Sequence, residues 1–359
     1  MADRSAQPER GAATPPVRAR LPGGRRAGPH LPIGHGLLKT AERAAQIGAW
    51  TIQIFSDNPT AWRRRPELPP EAAAFRGRLA DLDIGPLAIH AAYLVNLAGP
   101  DPALFARSVG VLRHELAGAP ALGARFVNVH AGSHRGSGVE AGIAHLVDGL
   151  EEALADVPNG PDCPFVVVEN SSGGGDGIGV TIEELARISQ AARARGLDGR
   201  IRFCLDTAHL WGAGYDISDP AEFDGLLAEF DRQIGLDRLA MIHLNDTTSG
   251  LGSRHDRHTH LGDGRIGGAA LSHMLRHDAL GDVAFYFETP GMEDGYDAIN
   301  MARLFDLAAG RPLAQASAAR PRNDATGPSD AIGSSAATAE PARDSRPNLE
   351  AAARRIPEP

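Results

Sequence analysis

Nine residues of this sequence have side chains that bind divalent metal ions, and most of them stand where short apolar runs end. They are His90, His130, Glu169, Asp206, His209, His243, Asp256, His258 and Glu288. Imidazole and carboxylate ligands without a thiolate suit zinc, manganese or iron, and carboxylates brought together repel one another unless cations neutralise them. Because one ion uses about three or four protein ligands, the set predicts a catalytic cluster of roughly two or three ions.

Eight apolar runs with high β-propensity position these side chains. The runs are residues 28–31, 50–55, 86–90, 125–130, 164–170, 201–206, 239–245 and 283–288. Helical stretches separate them; one follows the start signal Asp101-Pro102 and places Val109 and Leu112 on its apolar face. Repeated units of this kind predict an α/β protein with a parallel sheet, and eight of them predict a TIM (β/α)8 barrel.

In such a barrel the carboxyl ends of all strands meet at one rim, where the active site lies. Candidate metal ligands follow six of the eight predicted strands. A single polar residue at a strand end usually finds a backbone partner and has no further role. Six strand ends of this kind are hard to assign to chance, and they favour a metal site.

The chain has 359 residues, of which 42% are hydrophobic and 23% charged, so collagen-like, disordered and disulfide-scaffold classes are excluded. We expect a disordered basic tail at residues 1–26, a TIM-barrel domain at 27–310 and a disordered low-complexity tail at 311–359, because neither end has apolar periodicity. No run is long enough to span a membrane and no hydrophobic leader is visible, which predicts a cytoplasmic protein.

The net charge of −9 is unevenly distributed. The two predicted tails carry +4 and +1, so residues 27–310 carry −14. A body this acidic repels nucleic acid unless bound cations offset its charge where the partner docks.

At the candidate ligands the sequence resembles the endonuclease IV family of abasic-site DNA repair nucleases. The similarity covers residues 27–310, and its motifs lie at residues 90–98, 129–134, 168–170, 204–209, 214–216, 243–246, 256–258, 261–264 and 288–290. Each motif alone is a weak match. Together, in order and on the expected strands, they are specific.

The resemblance implies a TIM barrel with three divalent ions, usually zinc, although the ligand types also suit manganese. The implied ligand sets are His90, His130 and the bridging Glu169 for the first ion, Glu169, Asp206, His243 and Glu288 for the second, and His209, Asp256 and His258 for the third. It also implies hydrolysis of the phosphodiester 5′ to an abasic site in double-stranded DNA, leaving a 3′-hydroxyl and a 5′-deoxyribose phosphate. Glu169 is the candidate catalytic residue, and we expect a monomer without a membrane partner.

Three residues beside the predicted metal site are candidate DNA contacts: Tyr93, Leu94 and Asn58. Tyr93 and Leu94 match positions at which the family inserts side chains into the minor groove, and packing against the barrel is the alternative. Asn58 and Trp62 are open to the same two interpretations. Thr60 stands where family members often have an inserting arginine.

Two other classes of function remain open at this point. A sugar isomerase or epimerase could use the same barrel with one or two divalent ions. The third ligand set, however, would have no obvious role in a reaction on a free sugar. A nonenzymatic DNA-binding or scaffold module is disfavoured, because the ligands stand at the catalytic rim. The glycine-rich run at residues 173–179 lacks the Lys-Ser/Thr of a phosphate-binding loop, and it predicts a flexible rim loop.

Overall fold

Eight parallel strands form a nearly closed barrel in the computed structural model, which describes residues 18–158, 160 and 163–313. In chain order, the strands of this barrel and of one hairpin are β1 (Ala27–Pro29), β2 (Gln53–Ile54), β3 (Leu87–His90), β4 (Ala124–His130), β5 (Phe165–Glu169), β6 (Ile201–Asp206), β7 (Leu239–His243), β8 (Asp246–Thr247), β9 (His258–Thr259) and β10 (Ala284–Phe287). The barrel order is β1-β10-β7-β6-β5-β4-β3-β2. The predicted TIM barrel is confirmed, and every predicted run overlaps one barrel strand.

The first and last strands of this order meet through a single bridge. His30 pairs with Gln53 in parallel fashion, and the N–H of Leu31 donates to the carbonyl of Gln53 at 2.8 Å. Elsewhere the register places His130 level with Glu169, and Asp206 level with His243. The candidate ligands on neighbouring strands therefore reach the rim at the same height.

Alternate residues of the strands face the barrel interior and the surrounding helices. The interior cluster consists of Ala88, Phe126, Val167, Cys204, Met241, Ala284 and Tyr286. On β5 the neighbours Val166 and Val168 belong instead to the layer shared with the helices, and all three valines are fully buried. Burying such a side chain contributes about 1.5–3 kcal/mol to the free energy of unfolding. A strand with valines on both faces gains this stabilisation in full only when apolar layers cover both faces of the sheet.

Nine helices surround the barrel in the part of the chain that the structure describes. They are α1 (Leu37–Gln46), α2 (Ala72–Asp81), α3 (Pro102–Leu122), α4 (Val139–Leu154), α5 (Ile182–Ala194), α6 (Thr207–Ala213), α7 (Pro220–Gln233), α8 (Gly267–Arg276) and α9 (Tyr296–Ala308). The start of α3 is capped as expected, because the Asp101 carboxylate accepts from the N–H groups of Ala103 and Leu104 at 2.8 and 3.0 Å. Such a cap contributes about 1 kcal/mol. Val109 and Leu112 on α3 are buried.

Part of the predicted N-terminal tail packs against the barrel. Leu21 and Arg25 are buried, and the Arg18 guanidinium lies 4.3 Å from the centre of the Trp50 ring. Residues 1–17 and 314–359 of the predicted tails lie outside the described residues. The domain boundaries remain predictions. Among the described helices, none combines the length and apolarity needed to cross a membrane.

Candidate metal centre

All nine candidate ligands lie together at the carboxyl-terminal mouth of the barrel. Six of them line a cavity of about 540 Å³ there: His90, His130, His209, Asp256, His258 and Glu288. The remaining three, Glu169, Asp206 and His243, are fully buried beneath it. The barrel thus converts ligands spread over 199 positions of sequence, from 90 to 288, into one constellation.

Glu169 at the end of β5 is central to the first group, which consists of His90, His130 and Glu169. Its Oε2 atom lies 3.7 Å from Nε2 of His90 and 3.6 Å from Nε2 of His130. The three candidate ligand atoms all lie within 4.8 Å of one another. This spacing leaves room for an ion between them.

The second group consists of Asp206, His243 and Glu288 from the ends of β6, β7 and β10. Nδ1 of His243 lies 3.7 Å from Oδ2 of Asp206 and 3.6 Å from Oε2 of Glu288. The same Nδ1 atom lies 3.3 Å from Oε1 of Glu169. Glu169 therefore faces the first group with one oxygen and the second group with the other, as a bridging ligand would.

The third group consists of His209, Asp256 and His258. Asp256 approaches Nε2 of His209 at 3.2 Å and Nε2 of His258 at 2.9 Å. Asp206 also borders this group, since its Oδ2 atom lies 3.7 Å from Nε2 of His258. His209 and His258 with Asp206 meet the same 4.8 Å criterion as the first group.

Hydrogen bonds on the far side of the imidazoles fix which nitrogen faces the centre. Nδ1 of His90, His209 and His258 lies 2.7, 3.0 and 3.2 Å from the backbone carbonyls of Ala91, Asn170 and Glu288. A carbonyl only accepts, so Nδ1 carries the proton in each ring and Nε2 is directed inward. Metal-binding histidines are usually held by such outer partners.

Amide side chains hold the buried carboxylates in place. Asn128 donates to Oε2 of Glu169 at 2.5 Å, and Asn245 donates to Oδ2 of Asp206 at 2.7 Å. Gln53 accepts from Nε2 of His243 at 3.0 Å and donates to Oε1 of Glu288 at 2.6 Å. These outer hydrogen bonds fix ligand orientation before an ion binds.

Two buried ligand atoms support the fit of divalent ions to these residues. Oε1 of Glu169 and Nδ1 of His243 have no hydrogen-bond partner among the described residues. Leaving a buried polar atom unsatisfied costs about 1–3 kcal/mol, which a coordinated ion would remove. The donor set of imidazole and carboxylate is the one that zinc or manganese takes.

The electrostatics of the protein without ions point to the same conclusion. Burial alone would raise the pKa of Glu169, but His243 and His130 hold that pKa well below its ordinary value. Burial would lower the pKa of His258, but Asp256 raises it to about 9. Without ions, the carboxylates are thus balanced by protonated imidazoles, and bound cations would replace those protons.

The glycine-rich run after β5 packs against the loop that carries Asp256. A Cβ atom on Gly174 would lie 2.9 Å from the carbonyl oxygen of Arg254. The N–H of Arg254 also donates to the carbonyl of Gly212 in α6, at 2.9 Å. The absence of a side chain at Gly174 therefore lets another loop of the same chain approach its backbone.

A short hairpin that the apolar pattern did not predict positions the third group. Its strands β8 and β9 are two residues each, too short to produce an alternating pattern. The buried Asp246 carboxylate accepts from the N–H groups of Gly262, Gly264 and Ile266 at 2.9–3.1 Å. One carboxylate thus organises the loop between His258 and α8.

The candidate DNA contacts lie beside the mouth with different exposures. Tyr93 is 63% exposed, and its ring meets Phe55 edge-on at 5.0 Å. Leu94 is partly buried, and Asn58 is exposed. The Asn58 side chain accepts from the N–H of Thr60 at 3.0 Å, so part of its hydrogen-bonding capacity is used within its own loop.

Sequence reasoning missed three residues that border the centre: His30, Gln53 and Phe55. His30 and Phe55 line the cavity, with ring centres 4.4 Å apart, and Gln53 accepts from His243. Their positions at the carboxyl ends of β1 and β2 were the available signal, because these ends belong to the same rim.

Another group with metal-ligand spacing lies on α7 and α8, outside the mouth. It consists of Asp224, His273 and His277, and Asp224 is 49% exposed at its side chain. Nε2 of His273 lies 2.6 Å from the Asp224 carboxylate. These contacts are those of a partly exposed ion pair at the surface.

Comparison with known proteins finds relatives that share the sequence and the fold of this chain. A family model described as a xylose isomerase-like TIM barrel matches residues 41–308. A probable endonuclease 4 of Haloarcula marismortui is 37% identical over 282 residues, which cover 79% of this chain and 98% of that protein. One of Natranaerobius thermophilus is 39% identical over 279 residues, covering 78% and 96%.

Among solved structures with this fold, sequence identity distinguishes a member of the same family from a protein that shares the fold alone. Endonuclease IV from Thermus thermophilus is 36% identical, with a TM-score of 0.69 over 79% of this chain and 99% of that one. An L-ribulose 3-epimerase is 19% identical, with a TM-score of 0.54 over 80% and 93%, a likeness that shows the fold alone. With its sequence identity to the endonucleases and the rim of clustered ligands, the chain belongs to the endonuclease IV family.

Proposed function

We propose that the protein is a metal-dependent apurinic/apyrimidinic endonuclease of DNA base-excision repair, acting on the phosphodiester 5′ to an abasic site. The observation that carries the proposal is that three ligand groups converge at the mouth. Glu169 lies between two of them, with one carboxylate oxygen directed toward each. The relatives named probable endonuclease 4 support a nuclease.

The nine residues of the three groups would hold three divalent ions, with zinc the best match to the donor set. When bound, such ions polarise phosphate oxygens and lower the pKa of water. Glu169, whose carboxylate faces two ligand groups, would orient the attacking water and accept its proton. The water oxygen bonds to phosphorus, the bond to O3′ of the preceding nucleotide breaks, and O3′ takes a proton from solvent, to which Glu169 later returns its own.

The mouth has features suited to an abasic nucleotide. An abasic sugar has no base to unstack, so it leaves the duplex at lower cost than the few kcal/mol of a normal nucleotide. His30 and Phe55 line the cavity that would receive it, and the exposed Tyr93 stands at its edge. Tyr93 and Leu94 would enter the minor groove beside the lesion, and Asn58 would contact the DNA backbone.

A sugar isomerase or epimerase on the same barrel is less well supported. This chain is only 19% identical to the L-ribulose 3-epimerase. The third group, His209, Asp256 and His258, surrounds a further ion position that a small ketose does not require. Phosphodiester cleavage uses an additional cation at the leaving oxygen.

Metal analysis combined with an incision assay tests the proposal. The purified protein is assayed on a duplex with one stable abasic analogue, with and without chelator. We expect one incision 5′ to the analogue, a 3′ end that a polymerase extends, and loss of incision with chelator. Absence of incision by the metal-loaded protein, or turnover of a ketose in its place, would reject the proposal.

A further inference from the structure

A carboxylate on the inner side of α3 is buried outside the metal centre. Glu115 is 3% exposed and lies on the buried face of α3, next to the apolar Val111, Leu112 and Leu116. Buried glutamates are rare unless they are paired with another polar group. The proposed hydrolysis gives Glu115 no role.

Glu115 contacts the loop that follows β3. The backbone N–H of Ala92 favours the charged form of the Glu115 carboxylate and so lowers its pKa against the larger effect of burial. Ala92 stands between His90 and the exposed Tyr93, so Glu115 acts on the segment that leads from the metal centre to the candidate wedge. A second buried group of α3 assists, because the Ser108 hydroxyl accepts from the N–H of Asn96 at 3.0 Å.

On its other side Glu115 faces the loop that follows β2. The guanidinium of Arg64 is 7% exposed, and its Nη2 atom lies 3.8 Å from Oε1 of Glu115. Nη1 of Arg64 donates to the carbonyl of Asn58 at 2.9 Å. Arg64 therefore connects Glu115 to the backbone of the other candidate DNA contact.

The pair is incompletely satisfied. Nε and Nη2 of Arg64 and Oε2 of Glu115 are buried without a hydrogen bond among the described residues. Burial raises the pKa of the Glu115 carboxyl to about 7, although Arg64 opposes the rise. A buried charged pair with unsatisfied polar atoms lowers the stability of the folded protein. Its presence is therefore better explained by the two loops that it holds in position.

We infer that Glu115 is a positioning residue that sets the loop after β2 and the loop after β3 at a fixed spacing, so that Asn58 and Tyr93 meet a DNA duplex together. The inference rests on the proposed function for its substrate. The geometry that supports it lies outside the three ligand groups. The buried Glu115 carboxylate faces Arg64 of the loop after β2 at 3.8 Å, and Ser108 of the same helix holds the loop after β3.

Glu115→Gln keeps an acceptor for Ala92 and removes the charge that faces Arg64. Measured on the metal-loaded protein at pH 8, we expect KM for the abasic duplex and Kd for an uncleavable analogue to rise about fivefold, corresponding to about 1 kcal/mol. The value of kcat and the metal content should change little, and Tm should stay level or rise. Glu115→Leu, which also removes the acceptor, should weaken DNA binding further.

Hydrogen exchange without DNA gives a second readout. Amides of residues 57–65 should exchange faster in Glu115→Gln, and those of residues 91–96 should also exchange faster in Glu115→Leu, while amides of the barrel strands stay protected in both variants. Asp297→Asn is the matched control, because Asp297 is a buried carboxylate that pairs with Arg43 and contacts neither Asn58 nor Tyr93 through its hydrogen bonds.

The outcomes separate the two proposals. If the wild-type protein does not incise or bind the abasic duplex, the proposed function fails, and unchanged loop exchange in Glu115→Gln would reject the positioning role as well. If the wild type incises and Glu115→Gln shows the same KM, Kd and loop exchange, only the inference about Glu115 is rejected. A fall in kcat with unchanged KM would also overturn it.

Discussion

Gln53 shows how a single amide serves two candidate ligands. It accepts from Nε2 of His243 and donates to Oε1 of Glu288, both at 3.0 Å or less. Gln53→Leu removes both contacts and leaves Nε2 of His243 without its acceptor. Since such outer partners are worth about 10- to 100-fold in metal affinity, we expect zinc affinity to fall by that factor.

Equilibrium dialysis against zinc followed by metal analysis measures this effect. Gln233→Leu is the control, because Gln233 contacts Glu229 on the surface of α7. Equal zinc affinity in the wild type and Gln53→Leu would contradict the prediction.

Glu169 is the residue on which the proposed chemistry depends. Glu169→Gln keeps the shape of the side chain but removes the negative charge and the ability of the carboxylate to accept a proton. We expect incision to fall by about 10²–10⁴-fold or more, the usual effect of losing a general base. Glu293→Gln, an exposed glutamate at the same mouth, should keep its activity. Single-turnover rates at saturating duplex make the comparison, and full activity in Glu169→Gln would remove Glu169 from the mechanism.

At the scale of elements, loops that pack on one another position the third group. The contact of Gly174 with the carbonyl of Arg254 leaves no room for a side chain, since an added Cβ would lie at 2.9 Å. Gly174→Ala should displace the loop that carries Asp256. Because a displacement of about 1 Å near a reacting centre can cost about 10²-fold, we expect incision to fall at least tenfold.

Gly110→Ala is the matched control for Gly174→Ala. Gly110 lies inside α3, and an added Cβ there has no heavy atom within 4 Å. Replacing a helical glycine by alanine stabilises by about 0.5–1 kcal/mol, so Tm should rise slightly with incision unchanged. Incision rates and metal content are measured for Gly174→Ala and Gly110→Ala. Equal incision rates in the two variants would show that the loop carrying Asp256 tolerates the added methyl group.

The buried carboxylate of α3 predicts a pH dependence of stability. Burial raises the pKa of Glu115 from 4.5 to about 7, so the folded state holds its proton more tightly than the unfolded state. The stabilisation is complete below the unfolded pKa and is lost as pH rises through about 7. Glu115→Gln should therefore gain stability relative to the wild type between pH 5 and pH 8, by roughly 1–3 kcal/mol at 1.36 kcal/mol per pKa unit.

Urea unfolding of both proteins at the two pH values measures this difference. The charged and titratable groups around Glu115 are Arg64, Arg65, Asp57, Glu67, His90 and His114, and comparison with the isosteric variant removes their shared contribution. A stability difference that is the same at both pH values would contradict the raised pKa.

At the scale of the whole molecule, charge sets the conditions for binding DNA. Residues 27–310 carry −14, and four carboxylates lie at the mouth where the duplex would dock. The positive charge of three divalent ions would exceed the negative charge of those four carboxylates. Removal of the ions should therefore weaken the binding of an uncleavable abasic duplex by at least about tenfold, or 1.4 kcal/mol, because the mouth then loses the excess positive charge that attracts phosphate.

Fluorescence anisotropy of the labelled duplex, with chelator-treated protein and after zinc is restored, measures the effect. Circular dichroism of the treated protein checks that the barrel remains folded. Equal affinity in the two states would show that the ions do not attract the duplex.

The sequence by itself determined the barrel and the place of the ligands. Strand runs, helix caps and residue types at strand ends are local properties, and the eight predicted runs with six ligand-bearing ends placed Glu169 and His243 at one rim. The hairpin that organises the third group was not predictable in this way, because two-residue strands produce no periodic pattern.

The tertiary structure alone decided which polar residues support the centre. Gln53 meets His243 across 190 positions of sequence, and Glu115 faces two loops that both precede it in the chain. Gly174 leaves room for the carbonyl of Arg254 in a neighbouring loop, a role that the spacing of glycines does not reveal. Such contacts depend on how distant segments fold against one another, and the physical reason is that a side chain's partner is chosen by proximity in space, which sequence separation does not encode.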